Sequence, residues 1–318
     1  MVDVVALGEL LIDFAPVSAD AAGYPTVAAK PGGAPANFLA ALSRFGAKTA
    51  LIGKVGEDSF GKLLRQTLET EGVDTRGLVS DPSVFTTLAF VTLDGRGERS
   101  FSFARKPGAD TCLSADEIDF SLIGETRVFH FGTLSLTHEP ARSATRKAVA
   151  YARGLGKTLS FDPNLRRPLW ESEAEAGEQI LWGLSQADLV KISDEEVDFL
   201  WGCAPEAGAE KLVSEYGVSL AFVTCGAEGC YFRTRTVSGH ADALSGIAVV
   251  DTTGAGDIFG GSALWKLLQT KKAPEELTGE ELTDIARFGC VAAGLSTTRY
   301  GGISSVPSLY EVLEVARL

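Results

Sequence analysis

Short apolar runs alternate with amphipathic segments along most of the chain. The run at residues 2–7 is apolar, rich in β-branched residues and followed by a glycine, which is typical of a buried parallel strand. Residues 35–45 carry apolar positions at helical spacing and stop at a glycine. Further strands are predicted at 49–55, 127–131, 158–161, 189–192 and 220–224, and helices at 58–71, 138–153, 174–186, 194–216, 255–269, 280–298 and 307–317. Strands alternating with helices predict an α/β fold in which a mostly parallel central sheet carries helices on both faces.

One region departs from this alternation of strands and helices. Residues 86–93 and 98–104 each alternate apolar with polar positions, and Asp94-Gly95-Arg96-Gly97 between them is a hairpin signal. Residues 17–30 also lack helical periodicity. Both segments predict a small antiparallel β lid, formed by about residues 14–30 and 85–106, that would cover a site on the main sheet. Since no repeat or linker divides the sequence, we expect a single domain over residues 1–318.

Composition and charge exclude several classes of protein. Of the 318 residues, 45% are apolar and 22% charged, as in a globular protein rather than a disordered one. Lys and Arg number 29 against 42 Asp and Glu, and the net charge of −13 argues against nucleic acid or an anionic membrane as the main partner. The N-terminus lacks a basic leader and no long uncharged apolar window occurs, so we expect neither a signal peptide nor a transmembrane helix. The five cysteines lack a metal-binding spacing, which favours reduced thiols and a cytoplasmic location.

The strongest chemical signal is a small-residue loop at 251–257 that runs directly into a predicted helix. Free N–H groups and the positive end of the helix dipole make such a position an anion site. Gly254, Ala255 and Gly256 would let a phosphate oxygen reach the backbone. Asp257 falls in the first turn, where it could accept a proton from an attacking hydroxyl or merely complement the dipole. The loop lacks the Gly-Lys-Ser/Thr ending of a Walker motif.

A second signal lies near the N-terminus. Gly32 and Gly33 permit close backbone approach, and Asn37 follows in the next helix with both a donor and an acceptor. That pairing suits a hydroxyl-rich ligand, although a glycine turn before a helix would give the same sequence. Asp13 follows the first strand, at the edge where α/β proteins bind ligands, or it is an exposed turn acid.

Together these motifs resemble the ribokinase-like family of carbohydrate kinases. GGAPANFLAALSRFG at 32–46 is similar to the N-terminal signature of that family, and DTTGAGDIFGG at 251–261 is similar to its C-terminal signature. The resemblance extends over essentially the whole chain. It implies a ribokinase-like fold, a β lid over the sugar, and transfer of phosphate from ATP to a sugar hydroxyl with Mg²⁺ and an activating K⁺.

The resemblance also implies a role for individual residues. Asp257 matches the catalytic base, and residues 254–256 match the anion hole for the γ-phosphate. Sugar contacts are implied for Asp13, Gly32, Gly33 and Asn37. Nucleotide contacts are implied for Ser193, Thr224, Gly226 and Gly229. A monovalent-cation site is implied at Asp251, Thr253, Ser296, Arg299, Gly301 and Ser305.

One position departs from the family pattern. The family often carries Asn-x-x-Glu near the phosphates and magnesium, and residues 193–196 read Ser-Asp-Glu-Glu. Glu196 is retained as the candidate for water-mediated magnesium binding, whereas Ser193 replaces the asparagine. A serine that caps a helix with acids in its first turn explains the same residues.

The sugar is less closely defined. Residues 8–13, 101–110 and 161–166 resemble the fructokinase branch, which makes fructose 6-phosphate. Arg105 and Arg166 also suit an acidic sugar, as in 2-keto-3-deoxygluconate kinases, or the triphosphate. A non-catalytic sugar-binding relative is a third reading, which the presence of Asp257 disfavours.

The predicted lid strand has an aromatic face. Phe101 on that strand is a candidate sugar contact, and lid packing or a dimer contact would explain it equally well. An aromatic face on an exposed sheet needs cover, so we expect a homodimer in which each lid covers that of its partner. The expected partners are otherwise a small sugar and ATP, with no nucleic acid and no membrane.

Overall fold

Strands and helices alternate through most of the chain, as the sequence pattern predicts. The computed structural model describes residues 1–93 and 99–316, without the side chains of residues 93 and 99–101. The strands are β1 (Val2–Leu7), β2 (Leu11–Ala19), β3 (Pro25–Gly32), β4 (Thr49–Gly56), β5 (Val73–Asp74), β6 (Leu78–Asp81), β7 (Leu88–Leu93), β8 (Arg99–Ala104), β9 (Thr126–Gly132), β10 (Thr158–Asp162), β11 (Leu189–Ser193), β12 (Leu220–Thr224), β13 (Cys230–Arg233) and β14 (Ser238–Ala241). The helices are α1 (Ala34–Arg44), α2 (Ser59–Thr70), α3 (Phe120–Glu125), α4 (Ala141–Gly154), α5 (Glu173–Gln186), α6 (Asp194–Trp201), α7 (Pro205–Tyr216), α8 (Ala255–Thr270), α9 (Gly279–Ser296) and α10 (Leu309–Ala316).

The central sheet is parallel except at one edge. Its strand order is β14-β13-β12-β11-β10-β9-β1-β4-β5, with β6 also paired to β4. All pairings from β12 to β5 are parallel, and β13 and β14 add an antiparallel edge. From β1 the chain passes to β4 on one side and later to β9 on the other, so the strand order reverses at β1. Ligands in open α/β sheets bind at the carboxyl ends of the strands beside such a reversal.

Helices cover both faces of the sheet, as the alternation predicts. Alternate residues of each strand point to opposite faces. In β1, Val4 and Ala6 pack in one core with α1, α2, α8, α9 and α10. Val5 and Leu7 pack in a second core with helices α3 to α7. Burial on both sides explains why the strands read as continuous apolar runs rather than alternating ones.

The predicted small second sheet is present, with the order β3-β2-β7-β8, and is called the lid sheet below. It consists of two antiparallel hairpins, β2–β3 and β7–β8. The two hairpins join through a parallel pairing of β2 with β7, which the sequence did not indicate. Both hairpins start from the edge of the central sheet, so their first strands run in the same direction. The predicted turn at 94–97 lies outside the described residues.

Two features of the observed fold differ from the predicted pattern. The helix expected over 194–216 is divided into α6 and α7, because α6 ends at Gly202 in the left-handed conformation and Pro205 starts α7. The short strands β5, β6, β13 and β14 and the six-residue helix α3 were not predicted, since two to six residues give too little periodicity. In the part of the chain that the structure describes, no helix is long and apolar enough to span a membrane.

Candidate active site

A cavity of about 200 Å³ opens at the carboxyl ends of β1, β9 and β10. The N-terminal ends of α1 and α8 point toward it, and so the two glycine-containing motifs, more than 200 residues apart, meet there. Its walls are formed by Glu9, Leu11, Asp13, Gly33, Ala34, Asn37, Phe103, Leu134, Asn164, Arg166, Thr252, Thr253, Gly254 and Asp257.

Asp257 lies in the first turn of α8 and is only 7% exposed. Its Oδ2 accepts a hydrogen bond from Asn37 Nδ2 at 2.9 Å, and its Oδ1 accepts one from Asn164 Nδ2 at 3.3 Å. Burial raises the pKa of Asp257 to about 6, with a further increase from Asp162 that the hydrogen bond from Asn37 partly opposes. A carboxylate held by two amides, with a pKa close to neutral, has the geometry and proton affinity of a general base.

The first motif places its residues where the backbone must pass closely. Gly33 precedes α1 with φ at 117°, and a Cβ there would lie 2.5 Å from the carbonyl oxygen of Glu9. A Cβ on Gly32 would lie 2.3 Å from Asp13 Oδ2. Gly33 has no room for a side chain because the close atom belongs to the backbone, whereas a side chain at Gly32 would displace the Asp13 carboxylate from the cavity wall.

Two further carboxylates face the cavity. Burial raises the pKa of Asp13 to about 6, while the nearby Arg166 lowers it. Glu9 is buried, and its Oε1 accepts a hydrogen bond from the backbone N–H of Ala34 at 2.8 Å. Burial raises the pKa of Glu9 to about 7 despite that bond. Sequence reasoning missed Glu9 as a site residue, although its position directly after β1 is the signal that identified Asp13.

The two arginines occupy different environments. Arg166 lines the cavity, with Nη1 donating to the carbonyl oxygen of Leu165 at 3.2 Å. The side chain of Arg105 is 2% exposed and pairs with Asp110 through Nη2 at 2.7 Å. Arg105 also donates to Thr137 Oγ1 and to the carbonyl oxygen of Leu134, each at 2.8 Å. The structure therefore brings Arg166 to the site and places Arg105 behind its wall.

The lid contributes Phe103 to the cavity wall. The predicted Phe101 belongs to β8, and its side chain lies outside the described residues. Phe103 lies two positions from Phe101 on the same strand and so belongs to the aromatic face that the sequence predicts, but it was not named as a candidate. Asn164 was also missed, although it belongs to a segment, FDPNLR, that resembles the fructokinase branch.

The predicted nucleotide-side residues lie at the carboxyl ends of β11 and β12 and in the turn after β12, beside the end of β10. Ser193 and Glu196 form a capping box at the start of α6, which confirms the helix-capping explanation of these residues. Glu196 Oε1 also accepts from the backbone N–H of Leu165 at 2.6 Å. Thr224 Oγ1 donates to the carbonyl oxygen of Ile192 at 3.4 Å, and the turn 226–229 connects β12 to β13.

Of the predicted cation residues, the structure joins Asp251 to two others, Thr253 and Gly301. Asp251 accepts backbone N–H groups from Thr253 through Oδ1 and from Gly301 through Oδ2, each at 2.9 Å. The hydroxyls of Ser296 and Ser305 donate to the carbonyls of residues 293 and 302, and Arg299 pairs with Glu311. Among the described residues, no group of three or more His, Cys, Asp or Glu side chains is placed to hold a metal ion.

Comparison with known proteins agrees with this geometry. The model of the pfkB family carbohydrate kinases matches residues 1–309. Fructokinase-1 of Zea mays is 42% identical over 316 residues, which cover 98% of this chain and 97% of that protein. A fructokinase from Xylella fastidiosa with bound ATP superimposes with a TM-score of 0.90 at 31% identity, covering 99% of this chain and 98% of the other. A fructokinase from Vibrio cholerae O395 with fructose, ADP and calcium gives a TM-score of 0.87 at 31% identity, covering 99% of each chain, and a double mutant of that enzyme was solved with fructose, ADP and potassium. These matches confirm the resemblance drawn from the two motifs: this chain belongs to the pfkB family of carbohydrate kinases.

Proposed function

We propose that this protein transfers the γ-phosphate of ATP to the C6 hydroxyl of D-fructose, giving D-fructose 6-phosphate and ADP. The observation that carries the proposal is the buried Asp257, held by two amides at the N-terminus of α8 and facing the cavity. The full-length similarity to proteins named fructokinase supports the choice of sugar.

The proposed mechanism is an in-line displacement. The C6 hydroxyl of fructose gives its proton to Asp257 as its oxygen forms a bond to the γ-phosphorus, and the bond from that phosphorus to the ADP oxygen breaks. Backbone N–H groups of residues 254–256 stabilise the charge on the transferring group, as in other anion sites at helix N-termini. In this proposal, Asp13, Gly32, Gly33, Asn37 and Arg166 position the sugar.

The same proposal assigns the nucleotide and the ions. Ser193, Thr224, Gly226 and Gly229 lie on the ATP side. Magnesium, when bound, offsets the charge of the triphosphate, and it usually keeps several waters with few protein ligands. Glu196 fits such a role only through water, because each of its oxygens already accepts a backbone N–H.

A monovalent cation fits the loop around Asp251. Carboxylate, hydroxyl and carbonyl oxygens are concentrated there, and these are the hard ligands that such an ion takes. The guanidinium of Arg299 is paired with Glu311, so this residue would contribute only its carbonyl oxygen. K⁺ bound there would hold residues 251–254 against residues 301–302 without contacting the sugar.

Charge in the cavity favours a neutral sugar over an acidic one. Glu9, Asp13 and Asp257 are carboxyl groups on its wall, and Arg166 is the basic residue that faces them there, within the described part of the chain. Arg105, the second arginine expected for an acidic sugar, is neutralised by Asp110. 2-Keto-3-deoxygluconate remains the second candidate because Arg166 could pair with its carboxylate.

Release of ADP with a panel of sugars tests the proposal. We expect kcat/KM for fructose to exceed that for 2-keto-3-deoxygluconate at least about tenfold, which needs only about 1.4 kcal/mol of differential transition-state binding. A higher kcat/KM for the keto acid would overturn the choice of fructose but would leave the assignment as a sugar kinase unchanged. Binding of fructose without ADP release would indicate the non-catalytic relative.

We also propose that the second sheet acts as a lid that excludes water from the transferring phosphate, and that two lids pair in a homodimer. Val17, Tyr24 and Phe90 are exposed on this sheet, and such apolar side chains call for cover. A monomeric mass by light scattering at micromolar concentration would contradict the dimer. A cytoplasmic location stays a prediction, which the five unpaired cysteines support.

A further inference from the structure

An ion pair lies beneath the cavity, on the face of the sheet that α8 covers. Lys191 of β11 and Asp162 of β10 join through Nζ and Oδ2 at 3.1 Å, with side chains 13% and 8% exposed. The strand register pairs Phe161 with Val190, so the next positions on the two strands stand side by side. Neither residue lines the cavity, and neither has a part in the mechanism described above.

The aspartate of this pair leads to Asp257 through one intermediate residue. Asp162 Oδ1 accepts the backbone N–H of Asn164 at 3.1 Å. Asn164 has a φ of 47°, a left-handed conformation that an asparagine adopts when local hydrogen bonds hold it. Its side chain then donates to Asp257 Oδ1 at 3.3 Å. Without the Asp162 carboxylate, this backbone conformation loses a bond that holds it.

The lysine reaches the base from the other side. Lys191 Nζ lies 2.9 Å from the point where a Cβ of Gly256 would be, so the ammonium rests against the first turn of α8. Burial lowers the pKa of Lys191, but Asp162, Glu196 and Asp257 together raise it above its usual value. The lysine is therefore a cation that interacts with three buried carboxylates, Asp162, Glu196 and Asp257.

Other charged groups near Asp257 come from neighbouring elements. Arg166, after β10, faces it across the cavity, and Glu9, after β1, lines the same cavity. His130 of β9 stands below them, and burial lowers its pKa to about 3, so it is neutral near pH 7. The Lys191 ammonium is thus the buried cation on the sheet side of Asp257 within the described residues.

We propose that Lys191 and Asp162 are positioning residues for Asp257: the pair holds Asn164 and the first turn of α8 in place and balances the buried charge around the base. The inference rests on the proposed function, because it assigns the pair to a carboxylate that acts as the base. It predicts opposite effects for the loss of each partner. Removal of the cation leaves the buried carboxylates unbalanced, whereas removal of Asp162 leaves the cation to Glu196 and Asp257.

The test compares the pH dependence of kcat/KM in Lys191→Met, Asp162→Asn and the double variant. In Lys191→Met we expect the acidic limb of the pH profile to move to higher pH by at least about one unit, with kcat/KM at pH 7 falling at least about twofold and recovering at pH 9. In Asp162→Asn the limb should move to lower pH. The double variant should return the limb toward that of the parent. Unshifted limbs in both single variants would overturn the proposal.

A control and a second measurement separate this outcome from poor folding. Lys54 is a comparably buried lysine on β4, paired with Asp81 and Glu117 at 2.8 Å each, and it lies outside the cavity. Lys54→Met should lower the melting temperature without moving the limb. Titration of the Asp257 carboxyl by ¹³C NMR in labelled protein reports the same shifts without turnover. Full kcat in an Asp257→Asn variant would refute the proposal that Asp257 is the general base. Unshifted NMR titrations would refute only the positioning role of Lys191 and Asp162.

Discussion

The carboxyl edge of the central sheet and the lid sheet both border the cavity, but they are built in opposite ways. At the sheet edge the chemical groups are buried, and Asp257 and Glu9 are held by hydrogen bonds from distant parts of the chain. On the lid, apolar side chains are open to solvent, with Val17 65%, Tyr24 71% and Phe90 38% exposed. The proposed base and Glu9 are thus carried at the edge of the packed sheet, whereas the lid adds Asp13 and Phe103 to the cavity wall and carries surface that needs a partner.

The difference follows from what covers each sheet. Helices bury both faces of the central sheet, so a polar group there must be bonded or shift its pKa. The lid sheet is covered only in part: Phe14 meets the edge of Phe60 of α2 at 5.7 Å and stacks on Phe90 at 5.2 Å, and Phe90 itself stays 38% exposed. Because this contact is small, changes in the lid should cost less than changes at the sheet edge.

The largest expected effect is that of Asp257→Asn, which keeps the size of the side chain but removes the base and leaves one oxygen to accept where two accepted from Asn37 and Asn164. General-base contributions are about 10²–10⁴-fold, and a loose transition state favours the lower half of that range for kcat. Fructose affinity by calorimetry should survive. Asp242→Asn, on an exposed side chain outside the cavity, is the matched control. A kcat within about threefold of the parent would mean that Asp257 is not the base.

Glu9→Gln tests whether the buried charge at the sheet edge is costly. A pKa raised from 4.5 to about 7 means that this group favours folding below pH 4.5 and loses that contribution as pH rises through about 7. Glutamine does not ionise, so it avoids this loss. The difference in free energy of unfolding between variant and parent should therefore rise in favour of the variant from pH 5 to pH 8, by up to roughly 3 kcal/mol. Denaturant titration at both pH values measures it.

Glu117→Gln should change the stability at pH 8 in the opposite direction. Glu117 is bonded to Lys54, and although burial raises its pKa, the bonds to Lys54 and Ser114 lower it below its usual value. The stability that Glu117 contributes is therefore fully present above its ordinary pKa. It is lost as the pH falls through the lowered pKa of the folded state. This variant should lose stability at pH 8. If both glutamine variants respond alike to pH, the explanation by burial is wrong.

A pair of glycine replacements compares the two regions directly. Gly33 and Gly23 both have a positive φ, 117° and 87°, but a Cβ would meet the Glu9 carbonyl at Gly33 and nothing within 4 Å at Gly23. Gly23→Ala, in the lid turn, should cost about 1–2 kcal/mol from backbone strain alone. Gly33→Ala should cost more, because the clash adds to the strain. Equal shifts in melting temperature would remove the distinction between sheet edge and lid.

The smallest expected effect concerns the loop around Asp251. If K⁺ orders residues 251–254, activity in potassium should exceed activity in a large organic cation at equal ionic strength, because the anion loop is then better held. Initial rates in the two salts measure the effect. Equal rates would argue against an occupied cation site.

Much of the fold could be predicted because its signals are local. The apolar runs of β1, β4 and β9 to β12 need only a few consecutive residues to be recognised. The glycines at 32–33 and 254–256 likewise show where the backbone approaches a ligand. The parallel junction of β2 with β7 was not predictable, since pairing partners are set by where the strands start in space.

The sequence by itself determined the α/β class, the family and the two motifs that form the cavity, because those features reside in contiguous residues. Only the tertiary structure decided the roles of single side chains. It placed Arg166 in the cavity but joined Arg105 to Asp110, and it brought Asn37 and Asn164 to one carboxylate from opposite sides. The physical reason is that burial, pKa and hydrogen bonding depend on neighbours from other strands, which spacing along the chain does not specify.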